Sequence, residues 1–245
     1  MEPKIKFYKV GGCVRDQLLG VKVKDIDYCV VIDNFNGNID AAYNFLCEYL
    51  NKNNYTIFLK TPACFTVRAK CNKSNEVRDF VLARKELNYN DDTRSPISTL
   101  GTLYDDLVRR DFTINAMAID YDTNEVIDIC NGLDDLKNGI LRTPLDPSIT
   151  LTDDPLRVLR GFRFSITKNF TLDESFVNAL TNNKIWTKMI KVVSLERIRE
   201  ELDKMFKCDT IKTLEFLEMV KKYNYQCYEY ISNNILLKPI VRLKN

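Results

Sequence analysis

The chain has 245 residues, 45% of them hydrophobic, enough for one or two globular domains with real cores. Its net charge of +2 is too mild to announce a nucleic-acid binder, so any such role has to rest on local clusters. Histidine is absent, which excludes histidine-based catalysis, and no apolar run approaches the roughly 20 residues of a membrane span. The opening MEPKIKFYKV has no signal-peptide pattern, so a cytoplasmic protein without a membrane partner is expected.

Phe7–Val10 reads as a short strand, Gly11-Gly12 as a turn, and Val14–Leu19 as a helix stopped by Gly20. The β-branched segment Ile26–Ile32 reads as a strand. Ile39–Asn51 carries Ala42, Phe45, Leu46 and Tyr49 at helical spacing. Further strands are expected near Thr56–Leu59, Cys64–Cys71 and Val77–Ala83. The polar stretch Lys85–Thr99 reads as a mobile loop and Leu103–Ala118 as a helix, with a hairpin of Ala118–Tyr121 and Val126–Asp128 after it. From Pro155 a 3.6-residue period dominates, so a boundary is expected between Leu141 and Asp153, giving domains 1–141 and 142–245. Cys13, Cys29, Cys47, Cys64, Cys71, Cys130, Cys208 and Cys227 form no C-x-x-C pair and are expected to be buried, reduced thiols.

Asp25 and Asp27 flank Ile26 at the start of a strand, so both carboxylates share one face and repel unless a cation lies between them. Such oxygen ligands suit Mg²⁺, the usual ion of nucleotidyl transfer. Alone, D-x-D is more often two solvated acids. Here a Gly11-Gly12 turn precedes it, and backbone N–H groups with Arg15 could hold an anion such as a triphosphate.

In DDLVRRDFTINAMA, Arg110 can reach phosphate or sugar, Asp111 can accept from a ribose hydroxyl, and Asn115 can brace Asp111. In DDPLRVLRGFRF, Asp154 reads as an N-cap before Pro155. Leu156, Leu159 and Phe162 form a packing stripe, and Arg157, Arg160 and Arg163 a projecting one. A carboxylate only accepts and a guanidinium only donates. Asp154 with Arg157 therefore complements the amino donor and ring-nitrogen acceptor of cytosine and adenine, and opposes guanine and uracil. In VSLERIREEL, Ser194 reads as an N-cap, with Arg197 facing Glu200 and Glu201. Lys184–Lys191 and the C-terminal LLKPIVRLKN are either phosphate contacts or solvated surface.

The string GGCVRDQLLG followed by DID resembles the first signature of the class II CCA-adding enzyme and bacterial poly(A) polymerase family. The resemblance implies Asp25 and Asp27 as ligands of catalytic Mg²⁺, and Gly12 and Arg15 as nucleotide contacts. It implies Asp79 as a third catalytic carboxylate, where the family often has Glu. The segment 105–118 is similar to the family's ribose motif, and VIDICNGLDDLKNGILR to its connector between head and neck. Asp154 and Arg157 match the base-reading pair, and Arg160 and Arg163 nucleotide-contacting positions, with Asp153 where the family usually has Glu. ARKELNYNDDTRSPIS looks like the family's flexible loop, with Arg84, Glu86, Arg94 and Pro96 in its pattern.

The implied architecture is α+β: a polymerase-β-like nucleotidyltransferase head with a mixed sheet and flanking helices, then an all-α neck, most of the body and tail helices being absent. The expected activity is Mg²⁺-dependent, template-independent addition of C and A to the tRNA 3′ end from CTP and ATP. Addition of C only, of A only, or of poly(A) remains open, as does an RNA-binding module that kept the fold. The expected partners are tRNA or another RNA 3′ end, with an oligomer or partner chain to supply RNA grip.

Overall fold

A computed structural model describes residues 1–23, 25–88 and 96–237. Strand β1 (Lys4–Val10) leads through helix α1 (Gly12–Leu18) into β2 (Ile26–Asp33), and α2 (Ile39–Lys52) leads into β3 (Tyr55–Thr61), β4 (Thr66–Cys71) and β5 (Val77–Leu82). After β6 (Arg84–Asn88), β7 (Ile97–Leu100) and α3 (Leu103–Val108), β8 (Met117–Asp120) and β9 (Val126–Asp128) complete the sheet, followed by α4 (Gly132–Asn138). The seven-stranded sheet runs β3-β4-β5-β2-β1-β8-β9. β2 and β5 are parallel, and the other neighbours are antiparallel.

Alternation along β2 sends Tyr28, Val30 and Ile32 to one face, where they pack with Ala42, Leu46 and Leu50 of α2. Asn38 starts that helix by accepting from the Ala41 N–H at 2.9 Å. Leu46 and Leu50 are fully buried, each burial contributing about 2 kcal/mol. The other face buries Cys29 and Val31 with Val10, Leu107, Ala116 and Ala118. Asp27 belongs to this second face.

Two segments differ from expectation. The helix expected over 103–118 stops at Val108, and a 3-10 turn (Thr113–Asn115) leads into β8. Every residue from Phe112 to Ile119 is buried, and an apolar run buried on all sides has no period to separate helix from strand. The stretch read as a mobile loop contains β6 and β7, paired antiparallel with Lys85 opposite Thr99. Its charged residues satisfy one another on the strand, since Arg84 pairs with Glu86 at 3.1 Å. Residues 89–95, with Arg94, lie outside the described residues.

The chain divides into two compact units, Met1–Asn88 with Pro96–Leu136, and Lys137–Asn245. In the second, β10 (Ile140–Leu141) pairs parallel with β11 (Thr171–Leu172), a short addition to an otherwise helical unit. Its helices are α5 (Pro147–Asp153), α6 (Leu156–Lys168), α7 (Glu174–Ala179), α8 (Asn183–Val192), α9 (Leu195–Cys208), α10 (Thr210–Tyr223) and α11 (Tyr225–Asn234). Side chains of Asp146, Asp173, Asn182, Ser194, Asp209 and Asn224 cap six of these by accepting first-turn N–H groups. Trp186 is fully buried and donates from Nε1 to the Leu180 carbonyl at 2.8 Å. No described helix is long and apolar enough to cross a membrane. All eight cysteines are free, but only Cys13, Cys29, Cys47 and Cys227 are buried. Cys64 and Cys208 are exposed, which corrects the expectation of uniform burial.

Candidate active site

β1 ends at Val10, directly opposite Asp27, and the chain turns at Gly11 with φ +77°. A Cβ at Gly11 would stand 2.9 Å from Nη1 of Arg110, and one at Gly12 would stand 3.4 Å from Nη2 of Arg15. Gly11 therefore leaves room for the Arg110 guanidinium, which a side chain there would displace, whereas a Cβ at Gly12 would meet Arg15 at ordinary contact distance.

Arg15 is buried. Its Nε and Nη2 donate to Asp16 Oδ1 at 3.0 and 2.8 Å, and its Nη1 donates to Asn115 Oδ1 at 2.6 Å. Asn115 Nδ2 in turn donates to Asp111 Oδ1 at 2.9 Å, so the brace expected for Asp111 is present, built in a 3-10 turn rather than a helix.

Asp27 on β2 stands in register with Asp79 on the parallel strand β5. Asp79 is gripped by Arg68 through Nε at 2.7 Å and Nη2 at 2.6 Å. A cavity of about 570 Å³ is lined by Asp27, Asp79, Arg68, Arg84, Arg109 and Arg110, among others. Asp25 lies exposed just ahead of β2. Burial, then the neighbouring charges of Asp79 and Asp25, raise the Asp27 carboxyl above its ordinary value. Arg110 donates from Nη2 to Asp106 Oδ2 at 2.7 Å, while its buried Nε has no hydrogen-bond partner. Asp106 is fully buried and also binds Arg109. Burial alone would raise its carboxyl, but Arg109 and then Arg110 hold it well below the usual carboxylate range. Arg109 continues to Glu86 at 3.6 Å.

Sequence reasoning missed Arg68, Asp106 and Arg109. The i, i+4 spacing of Asp106 and Arg110 was a usable signal. Arg68 left none, because only cross-strand register brings it to Asp79.

In the second unit, Asp154 is extended (φ −130°, ψ 91°), and its Oδ1 accepts from the Leu156 N–H at 3.2 Å as the expected cap. Leu156 and Leu159 are buried as expected, and Phe162 meets the Phe216 ring at 4.5 Å. The expectation of a projecting arginine stripe is corrected. Arg157 is only 8% exposed and Arg160 and Arg163 are half-buried. Neighbouring helices wrap α6 on several sides, so these cations are met by other groups instead of water. Arg163 binds Glu201 and lies 4.1 Å from the Phe164 ring centroid. Glu201 thus faces Arg163 and Lys204, not Arg197, which is exposed. Lys188 is buried while Lys184 and Lys191 are exposed, and residues 238–245 of the basic C-terminal stretch lie outside the described residues.

A mixed sheet carrying paired carboxylates beside an arginine-lined cavity, with a helical unit behind it in sequence, defines a nucleotidyltransferase-type fold. Residues 7–142 match the model of the poly A polymerase head domain, and the chain belongs to this family, the class II CCA-adding enzymes and poly(A) polymerases. It is 35% identical over 229 residues to the tRNA nucleotidyltransferase cca2 of Schizosaccharomyces pombe, covering 88% of this chain and 46% of that protein. It resembles the crystal structure of a tRNA nucleotidyltransferase complexed with a primer tRNA and an incoming ATP analog, with TM-score 0.66, 30% identity and coverage of 96% and 61%. It also resembles a CCA-adding enzyme in complex with CTP, with TM-score 0.67, 28% identity and coverage of 89% and 47%. The chain thus spans about half the length of the curated relatives it matches.

The family implies a divalent metal cation, and the oxygen donors here suit one. Among the described residues no three His, Cys, Asp or Glu side chains cluster closely enough to hold a metal by themselves. One or two carboxylates completed by water and substrate oxygens are the ordinary ligand set of a small hard cation. Burial and then the neighbouring carboxylates raise the Asp27 carboxyl, and a cation bound there would favour its charged form.

Proposed function

We propose that this chain catalyses Mg²⁺-dependent, template-independent nucleotidyl transfer to an RNA 3′ end, adding C and A to tRNA from CTP and ATP. The observation that carries the reading is the cavity in which Asp27 and Asp79 face Arg110, whose buried Nε lacks a partner. In the transfer, the RNA 3′-oxygen forms a bond to the α-phosphorus, the bond from that phosphorus to the bridging oxygen breaks, and pyrophosphate leaves. A bound Mg²⁺ would supply Lewis acidity, easing loss of the 3′-hydroxyl proton to solvent and charge build-up at the α-phosphate.

Asp25 and Asp27 would hold the cation, and Arg68 fixes the orientation of Asp79 beside Asp27. Arg110 donates to the triphosphate, with Asp106 holding its other edge. Gly11 leaves the space this approach needs, and the backbone at Gly12 contacts the nucleotide. Arg15 acts through Asn115 to aim Asp111 at the ribose. Asp154 accepts from the exocyclic amine of cytosine or adenine, and Arg157 donates to the ring acceptor. Guanine or uracil there leaves polar groups unpaired, at about 1–3 kcal/mol each. Arg160 extends the nucleotide site, whereas Arg163 serves it by fixing α6 to α9. The head, residues 1–141, thus carries the chemistry and the neck, from 142, the base choice. The ATP analog, CTP and primer tRNA in the structures of relatives support this assignment of substrates. The eight free cysteines favour a reducing compartment, the cytoplasm. RNA grip comes from a second copy, a partner, or further segments such as those of the longer relatives.

Incubation with tRNA lacking CCA and each NTP singly, with Mg²⁺, tests the proposal. CTP and then ATP incorporation is expected, and no incorporation of either sinks it. ATP-only incorporation with long tails on arbitrary RNA would select poly(A) synthesis. RNA binding unchanged by Asp27→Ala, without incorporation by either protein, would select a binding module.

A further inference from the structure

Asp27 and Tyr28 are adjacent in β2, so Tyr28 lies on the opposite face of the sheet from the metal-binding carboxylate. Beside the last turn of α2, the rings of Phe7, Tyr28, Tyr49, Tyr55, Phe80 and Tyr121 enclose a cavity of about 200 Å³. Tyr28 and Phe80 stack at 5.4 Å, Tyr55 meets Phe80 edge-on at 5.2 Å, and Tyr121 meets Tyr28 edge-on at 5.8 Å. Tyr121 is 44% exposed and stands at the mouth.

Arg78 lines the same cavity with a side chain only 11% exposed. Its Nη1 donates to the Tyr55 hydroxyl at 2.9 Å and its Nη2 to Glu76 at 2.8 Å, and the guanidinium lies 5.5 Å from the Tyr28 ring centroid. The Tyr121 side chain also bonds the guanidinium, while Nε of Arg78 is buried with no hydrogen-bond partner. A buried donor left unmade costs about 1–3 kcal/mol, so an aromatic cavity carrying one is suited to a flat ligand with an acceptor. Glu76 already answers the arginine's charge, and Asp122 adds a second carboxylate to the lining, which disfavours an anion. The volume falls below the roughly 300–1,000 Å³ of pockets for drug-sized ligands, and admits one ring rather than a whole nucleotide.

We infer that this cavity is a second binding site, behind the catalytic face, for a single pyrimidine base stacked on the tyrosines with its ring carbonyl accepting from Arg78 Nε. The base comes from a free nucleoside or from single-stranded RNA, where aromatic stacking is the common mode of hold. The inference does not depend on the nucleotidyl-transfer reading.

The test is calorimetric titration of the full chain carrying Asp154→Ala, which removes the base-reading carboxylate of the neck, with uridine, cytidine and a short oligouridylate. Saturable binding is expected, weakened at least tenfold by adding Arg78→Lys, which keeps the charge but lacks the Nε donor. Tyr121→Ser, at the mouth, is expected to weaken it similarly, with an unchanged circular dichroism spectrum showing that the fold is kept. Nucleoside binding as tight as oligonucleotide binding identifies a free nucleoside as ligand, and binding of the oligonucleotide alone identifies RNA. No saturable binding in the Asp154→Ala chain, or affinity unchanged by both further substitutions, overturns the inference.

Discussion

Arg15 donates to Asn115 at 2.6 Å across a sequence separation of 100 residues, and Asn115 hands the connection on to Asp111. Two motifs that are far apart in the chain thereby share one rigid hydrogen-bonded line. Replacing Asn115 with Ala removes the two bonds that join Arg15 to Asp111, at about 1–3 kcal/mol, while Arg15 keeps Asp16 and Asp111 keeps the Phe112 N–H. A lower melting temperature is expected, together with about a tenfold rise in KM for the nucleotide in steady-state kinetics. A mutant with unchanged KM would separate the line from nucleotide binding.

Asp27→Asn is expected to abolish incorporation, with a loss of three orders of magnitude or more in kcat. Its stability goes the other way. The folded-state value of Asp27 is raised, so the folded chain keeps its proton as the unfolded chain loses one. Stability falls as pH rises from about 3.8 through the raised value. The uncharged amide escapes that loss. Without added metal, Asp27→Asn should melt at or above the wild-type temperature near neutral pH, and Mg²⁺ should raise the melting point of the wild type only.

Asp106 has the opposite sign. Arg109 and Arg110 depress its folded-state value, so its contribution is present above the ordinary carboxylate range and is lost as pH falls through the depressed value. Removing it as Asp106→Ala takes the shared carboxylate from Arg109 and Arg110, of which Arg109 keeps Glu86, at about 3–5 kcal/mol for breaking a buried charge pair. Denaturant titration at pH 7 should register that loss, and the variant's stability should respond less to acidification than that of the wild type.

Asp154→Asn keeps an oxygen able to accept from the Leu156 N–H, so α6 keeps its cap, but it puts an amide donor where the carboxylate only accepts. Single-NTP incorporation should show CTP and ATP use falling and the ratio of UTP to CTP incorporation rising by at least tenfold, with the melting temperature little changed. An unaltered nucleotide profile would remove Asp154 from base choice.

Gly11→Ala forces a side chain into φ +77° and sets its Cβ 2.9 Å from Arg110 Nη1. With ψ −141° this lies outside the left-handed helical region, in backbone space that a residue with a Cβ enters at a cost of about 1–3 kcal/mol. Arg110 must also move, so KM for the nucleotide should rise along with the fall in melting temperature.

Local chemistry made much of this legible before any coordinates. The Gly11-Gly12 turn and the Asp154-Pro155 helix start each carry their geometry within a few residues, through backbone conformation and capping, whereas strand alternation places Asp27 only, because β2 begins after Asp25. The strands Ile26–Ile32 and Val126–Asp128 and the helix at 39–51 were readable because their residues alternate or repeat with the period of the element. That signal fails over Phe112–Ile119, where burial on every side leaves no period, and over β6 and β7, whose charges look like a solvated loop until they pair. Tertiary structure alone decided that Arg68 grips Asp79, that Arg163 turns inward to Glu201, and that six aromatic rings from four strands, α2 and the turn after β8 close around Arg78. Those relationships depend on strand register and helix packing, which join residues distant in sequence and leave no trace in local spacing.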